Sequence, residues 1–275
     1  MSESEKTKII DANIAYHSAL ADTYDKDQPH FKQENQERVD AIIKALAQEA
    51  GNGSLVDFGC GTGFVINIAK KYFKRVAGVD ITQKMLDLVD LTGGNIELFK
   101  TETSDTSLKS SEFNVCTAYG FLHHLQEPET TFKEAYRILR ENGTFYADLD
   151  PNYYYWDMIR NIQDCSTDNQ ILSREIKSVI DKVDEISDRF HLDREVISLA
   201  EYQKIVKGGF KEEEIVALLL KAGFAHVDFN YEWYIGQAYY IHNEPETGEM
   251  IEAYLRKLLP ATRHLFKYVS FKARK

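Results

Sequence analysis

The sequence predicts an α/β fold, a sheet of mainly parallel strands covered by helices. Three observations carry that expectation. Between residues 35 and 150, short β-branched apolar runs alternate with stretches of helical period. The run Leu55-Val56-Asp57-Phe58-Gly59-Cys60-Gly61-Thr62-Gly63 passes from a buried strand through a glycine turn to a helix start. Asp80 ends the next apolar run, Val76 to Val79, at the position where a ribose-binding carboxylate falls about twenty residues after the first glycine.

The elements follow in order. Residues 1–10 are charged and read as frayed, and residues 35–49 read as a helix with Val39, Ile42, Ile43 and Leu46 on one face. The strand at Leu55 leads into a helix over Phe64 to Phe73, then Val76 to Asp80 as a second strand. Thr82 is placed to cap a helix carrying Met85, Leu86 and Val89. Ile96 to Lys100 and Phe113 to Tyr119 read as the third and fourth strands. A helix starts at Glu127-Pro128 and stops at Asn142-Gly143, and Phe145 to Asp150 is the fifth strand.

After Pro151 the pattern becomes helical for nearly sixty residues, with Ile176, Val179, Ile180, Val183 and Ile186 at helical spacing. That is longer than a strand connection needs and predicts an inserted helical cap. Lys211 to Ala222 reads as a helix, Val227 to Tyr234 as a strand, 246–259 as a helix and Lys267 to Ala273 as a last, alternating strand. The expected organisation is a lid over 1–34, a nucleotide-binding core over 35–150, a cap over 151–208 and the rest of the core over 209–275. A second helical insertion is expected near 244–263.

A strand, a glycine turn and a helix start make a nucleotide cradle: backbone N–H groups approach the ligand closely and the helix end adds partial positive charge. A dinucleotide fingerprint, G-x-G-x-x-G, fails because Phe64 stands where its third glycine belongs. A P-loop fails because no Lys follows. What remains is D-x-G-x-G-x-G followed by Asp80. This resembles the first motif of class I S-adenosylmethionine (SAM) methyltransferases of the small-molecule type, such as quinone-biosynthesis and natural-product enzymes. F-N-V-C with Leu122-His123-His124-Leu125 resembles the fourth motif of that family, with Asn114 for its usual Asp. Arg137 to Gly143 is similar to its R-x-L-x-x-G-G, with Asn142 for the first Gly.

The resemblance implies a Rossmann-like, doubly wound seven-stranded sheet of order 3-2-1-4-5-7-6 with the last strand antiparallel. It implies SAM as cofactor, with Asp80 on the ribose hydroxyls. Asp57, Gly59, Cys60, Gly61, Ile81 and Met85 would surround the nucleoside, and Ala118 and Tyr119 the methionine part. Thr103, Ser104 and Asp105 stand where the family meets adenine; that contact is not fixed to one residue, with Asp105 the best single candidate. Ala21 to Asp25, an A-x-x-Y-D stretch, resembles the family's lid, which would bring Tyr16 and Tyr24 over the cofactor.

Composition narrows the partners. The chain has 275 residues and a formal net charge of −11, which repels nucleic acid and anionic membrane. Its three cysteines, Cys60, Cys116 and Cys165, form no C-x-x-C pair, so neither a zinc site nor a disulfide framework is expected and a reducing compartment fits. The start has no apolar signal region, and no apolar run is long enough to span a membrane. A cytoplasmic monomer or homodimer acting on a small-molecule acceptor is expected, without membrane insertion.

Methyl transfer needs an acceptor held about 3 Å from the methyl carbon, in line with the breaking bond, and deprotonated if it is a hydroxyl or ammonium. It requires no protein nucleophile and no metal. His123 and His124 follow strand four, and Asp148 and Asp150 end strand five; a histidine is the natural base near neutral pH and an Asp there is placed to orient it, which makes His123, His124 and Asp150 the catalytic candidates, with no single base fixed among them. The aromatic residues Tyr153, Tyr154, Tyr155, Trp156, Tyr202, Trp233, Tyr234, Tyr239 and Tyr240 are the stock for an apolar acceptor wall. Two other readings fit the same cradle: another SAM-using transferase, such as an aminopropyltransferase, or a non-catalytic SAM-binding protein.

Overall fold

The computed structural model describes residues 3–93, 95–162 and 169–275; Gly94 and Cys165 lie outside the described residues. Seven strands form a sheet: β1 (Ser54–Phe58), β2 (Arg75–Asp80), β3 (Ile96–Lys100), β4 (Phe113–Tyr119), β5 (Leu139–Pro151), β6 (His226–Tyr234) and β7 (Phe266–Arg274). Their order is β3-β2-β1-β4-β5-β7-β6. β1 to β5 pair in parallel, and β7 runs antiparallel to both β5 and β6. The order reverses between β1 and β4, which opens a crevice at the C-terminal ends of those strands. Fold class, strand order and the antiparallel last strand are those expected.

The sheet forms because its central strands are apolar on both faces. Every residue of β1 is buried. Side-chain alternation sends Val56 and Phe58 to one face and Leu55 to the other. The helices Gln33–Glu49 and Phe64–Ala69 cover the Leu55 face with Val39, Ile43, Leu46, Val65 and Ile68. The helices Pro128–Ile138 and Glu212–Ala222 cover the other with Phe132, Ala135, Ile138, Ile215 and Leu219. Among the described residues, no helix is long and apolar enough to cross a membrane.

Several boundaries differ from expectation. The N-terminal segment is a helix, Glu3–Leu20, rather than frayed. Tyr16 and Leu20 pack against Ile197 and Ala200, and this burial outweighs the local charge. The helix after the glycine turn ends at Ala69, not Phe73. Thr82 makes no side-chain cap, and its helix is only Gln83–Leu86. Asp80 Oδ1 instead accepts the Thr82 N–H at 2.8 Å. Asn142-Gly143 does not stop a helix. The helix ends at Ile138, and 140–143 bulge out of β5 between the Phe113–Leu139 and Val115–Thr144 pairs, with Asn142 at φ 62°.

Between β5 and the helix Glu212–Ala222 lie the helices Tyr153–Ile162, Gln170–Ile180, Lys182–Phe190, Arg194–Ala200 and Tyr202–Ile205. The apolar stripe from Ile176 to Ile186 is not one surface. Ile176 and Val179 pack on Tyr155 and Trp156, whereas Val183 and Ile186 pack with Tyr16 and Leu20. The helical segment after β6 starts at Gln237, earlier than its period suggests.

Candidate active site

Two cavities sit at the strand ends and share His17, Tyr24, Tyr119, Gly120 and His124 as lining. The first, about 220 Å³, is built from the ends of β1 to β4 and one face of the helix Glu3–Leu20. In the turn after β1, Gly59 (φ 68°) and Gly61 (φ 52°) both adopt left-handed backbone. Their reasons differ. A Cβ on Gly59 would lie 1.9 Å from the Phe121 ring, whereas one on Gly61 would meet nothing within 4 Å and would stand in the open cradle. Gly59 is therefore a packing requirement, whereas Gly61 faces open space in the cavity.

Asp80 lies across the turn. Its Oδ2 accepts the Gly61 N–H at 3.0 Å and its Oδ1 the Thr82 N–H at 2.8 Å, which fixes the carboxylate at the cavity wall. Each oxygen keeps a lone pair for a ligand hydroxyl. From the helix Glu3–Leu20, Asn13 donates to the carbonyls of Ile9 and His124, while its buried Oδ1 has no partner among the described residues. The Thr62 hydroxyl donates to Asp25 at 2.6 Å and ties the N-terminal segment to the glycine turn.

Of the residues expected around the nucleotide, Gly59, Gly61, Asp80, Ile81, Thr103, Ser104, Tyr24 and Tyr119 line this cavity. Asp57, Cys60, Met85 and Ala118 are buried and do not line either cavity. Ala118 and Cys60 point into the packing on opposite sides of the sheet. Asp57 accepts the Thr117 hydroxyl at 2.7 Å, and burial pushes its carboxyl up to about 7 against that bond. Asp105 is exposed and off the cavity; Thr101 and Glu102 line it instead. Tyr16 faces the second cavity. Reading residues 1–10 as frayed missed Ile9 and Ile10, and reading the next stretch as a lid around Tyr16 and Tyr24 missed Asn13 and His17; the i, i+1, i+4, i+8 spacing of the four carried the signal of one helical face.

The second cavity, about 310 Å³, draws on segments far apart in the chain. Leu149 at the end of β5 (φ 65°) and Trp233 at the end of β6 (φ 59°) both line it in left-handed backbone, a strained conformation for such residues. Trp233, Tyr234, Tyr268 and Tyr119 supply its aromatic wall. The indole N–H of Trp233 is buried without a partner among the described residues. Tyr153, Tyr154, Tyr155, Trp156 and Tyr202 do not line it. Tyr154 is taken up by Glu213 and Arg263, and Tyr155 by Glu175.

The titratable groups meet here. His123 Nδ1 lies 2.8 Å from Asp150 Oδ1, which also accepts the His123 backbone N–H at 3.0 Å. Burial pushes the Asp150 carboxyl up, and its bonds to His123 pull it down. Asp148, by contrast, is committed to Arg38 at 2.8 Å and the Tyr146 hydroxyl at 2.7 Å. His124 Nδ1 lies 2.7 Å from the Ala200 carbonyl. A carbonyl can only accept, so Nδ1 carries the proton and Nε2 the lone pair. Burial, then the neighbouring His123 and His17, hold His124 well below the ordinary histidine value. Glu201 lies 3.8 Å from His123 Nε2 and 2.6 Å from the Lys204 ammonium. Burial opposes its charge, but Lys204 and the histidines hold it well below the usual carboxylate range.

The sheet order is that of the Rossmann-like SAM-dependent methyltransferase structures, and the glycine turn and Asp80 stand at its crevice. Residues 56–147 match the family model described as "Methyltransferase domain". The chain is 32% identical over 111 residues to a demethylmenaquinone methyltransferase of Lactobacillus johnsonii, covering 37% of this chain and 45% of that protein. It is 25% identical over 166 residues to a ubiquinone biosynthesis O-methyltransferase of Idiomarina loihiensis, covering 56% and 67%. The chain spans about half the length of most of the curated relatives it matches. Among solved structures, a SAM-dependent methyltransferase of Mesorhizobium loti shares the fold at a TM-score of 0.53 and 18% identity, covering 86% of this chain and 96% of that one.

Proposed function

We propose that the chain methylates an oxygen or nitrogen of a small aromatic or apolar molecule, with SAM held in the first cavity and the acceptor in the second. The observation that carries this reading is the shared wall: one nucleotide cradle and one aromatic-lined cavity have five lining residues in common, and His123 with its orienting Asp150 lies on the second side. Three features fit the cofactor: the Asp80 carboxylate held at the wall, the open space at Gly61, and the unpaired Asn13 Oδ1.

SAM supplies a methyl group on a sulfonium. Asp80 would offer its free lone pairs to the ribose hydroxyls, and Thr101 to Ser104, which line the same cavity, would flank the adenine. On the other side, Asp150 holds the His123 ring so that Nε2 faces away from it, free to take a proton from a hydroxyl or ammonium. Trp233 and Tyr234 wall the acceptor off from water and favour an apolar body. The net charge of −11 disfavours nucleic acid as acceptor and suits a cytoplasmic enzyme, monomeric or dimeric.

The test is incubation of the chain with methyl-labelled SAM and a small-molecule extract. We expect one labelled small molecule, with S-adenosylhomocysteine as co-product. Methylthioadenosine instead would mark an aminopropyl-type transferase, and SAM binding without any labelled product would mark a binding protein.

A further inference from the structure

We propose that His123, His124 and Glu201 form a site for a divalent transition-metal ion of the zinc type, with its open position toward the second cavity. The proposal rests on reading that cavity as the acceptor pocket only for what the open position faces; the ligand set stands without it.

One nitrogen from each histidine and one oxygen of Glu201 lie within 4.8 Å of one another. The His123 Nε2–Glu201 Oε2 distance is 3.8 Å. Ligand atoms on a tetrahedral zinc with bonds of about 2.0 Å stand roughly 3.3 Å apart, so the three need only small side-chain rotations to close on an ion.

The surroundings are those of a built site. Each histidine has its Nδ1 committed to an acceptor, His123 to the Asp150 carboxylate and His124 to the Ala200 carbonyl. Such contacts fix the tautomer and aim Nε2 in metal-bound histidines. Within the cluster itself, Asp150 and Glu201 set two carboxyl groups beside the one ammonium of Lys204. Lys204 shares Glu201 with the ion rather than replacing it, because a carboxylate accepts at more than one lone pair.

Two imidazoles and one carboxylate suit zinc, cobalt or iron rather than magnesium or calcium, which prefer oxygen alone. Three protein ligands leave a fourth position for an acceptor oxygen or water. The His123 Nε2 lone pair serves either the ion or a proton, so a loaded chain cannot use His123 as a base.

The test is titration of tag-free full-length protein with Zn²⁺ by calorimetry, with Co²⁺ as spectroscopic probe and SAM titrated separately. We expect one ion per chain and the intense visible absorption of tetrahedral cobalt. Glu201→Gln should weaken zinc binding by at least about 100-fold. Asp150→Asn, acting through His123, should weaken it by roughly 10- to 100-fold. Unchanged SAM affinity in both variants reports that they fold. A zinc Kd above about 1 mM, a weak octahedral cobalt spectrum, or variants that bind zinc like the wild type would overturn the site. Zinc binding by a wild-type chain that does not bind SAM would keep the site and sink the methyltransferase reading.

Discussion

The two cavities share a wall and are built in opposite ways. The first is assembled from short segments at the ends of four successive strands, where backbone atoms do much of the work: Gly61 N–H and Thr82 N–H fix Asp80, and the glycine turn leaves space. The second takes its polar groups from the N-terminal segment (His17, His30), the turn after β4 (His123, His124) and the helices after β5 (Glu201, Lys204), and its aromatic wall mainly from β6 and β7. Its charged groups hold one another by side-chain contacts across long sequence separations, as His123 does with Asp150 and Glu201. A cradle made of backbone suits a constant ligand, and a pocket made of distant side chains can change its ligand without changing the sheet.

The sharpest separation of the two sides is His123→Ala. Removing the base should lower methyl transfer by about 10²-fold or more while SAM affinity stays within about twofold. Full activity in this variant, at any pH, would mean the acceptor needs no base from the chain. The glycines divide the first cavity in the same way. Gly59→Ala places a Cβ against the Phe121 ring in left-handed backbone and should cost roughly 2–5 kcal/mol of stability. Gly61→Ala meets no neighbour, so its stability loss should stay near the backbone cost of roughly 1–2 kcal/mol, and its main effect should be on SAM affinity. Equal melting temperatures for the two variants would erase that distinction.

Asp80→Ala comes next. Losing charge-assisted bonds to the ribose should weaken SAM binding by about ten- to a hundredfold, and a change under about twofold would remove Asp80 from that role. The smallest effect belongs to His30, partly exposed on the second side. Its ring packs on Phe64 and Tyr119, and burial with some repulsion from Lys182 lowers its pKa to about 4. The unfolded chain takes a proton near 6.5 and the folded chain only near 4, so the contribution of His30 is intact above 6.5 and is lost as pH falls toward 4. Urea midpoints measured across that window should show a shallower acid loss for His30→Gln than for the wild type. Parallel curves would place the titration elsewhere.

Reading the sequence went furthest where neighbours in the chain are neighbours in space. The glycine turn and Asp80 follow from local pattern and the strand order from the family resemblance, and the observed sheet has that order. Asp57, Cys60, Met85 and Ala118 belong to the same local segments yet turn into the packing, because a motif identifies a backbone path and alternation decides which side chains leave it. The aromatic wall was harder still. Tyr153 to Trp156 and Trp233-Tyr234 look equivalent as composition, and only the packing turns the second pair toward the cavity.

The sequence by itself determined the α/β elements and the cradle, since these depend on period and glycine freedom; the resemblance set a histidine beside the end of strand five, and the structure chose Asp150 over Asp148 as its partner. Only the tertiary structure decided that Glu201 and Lys204 lie beside His123, that Ile9, Ile10 and Asn13 form a wall, and that the Ile176–Ile186 stripe divides between two packing clusters. Those outcomes depend on contacts between residues far apart in the chain, such as Asn13 with His124 and Tyr16 with Ile197. No local pattern encodes them, because chain entropy lost in bringing such residues together is recovered only by the burial of the assembled whole.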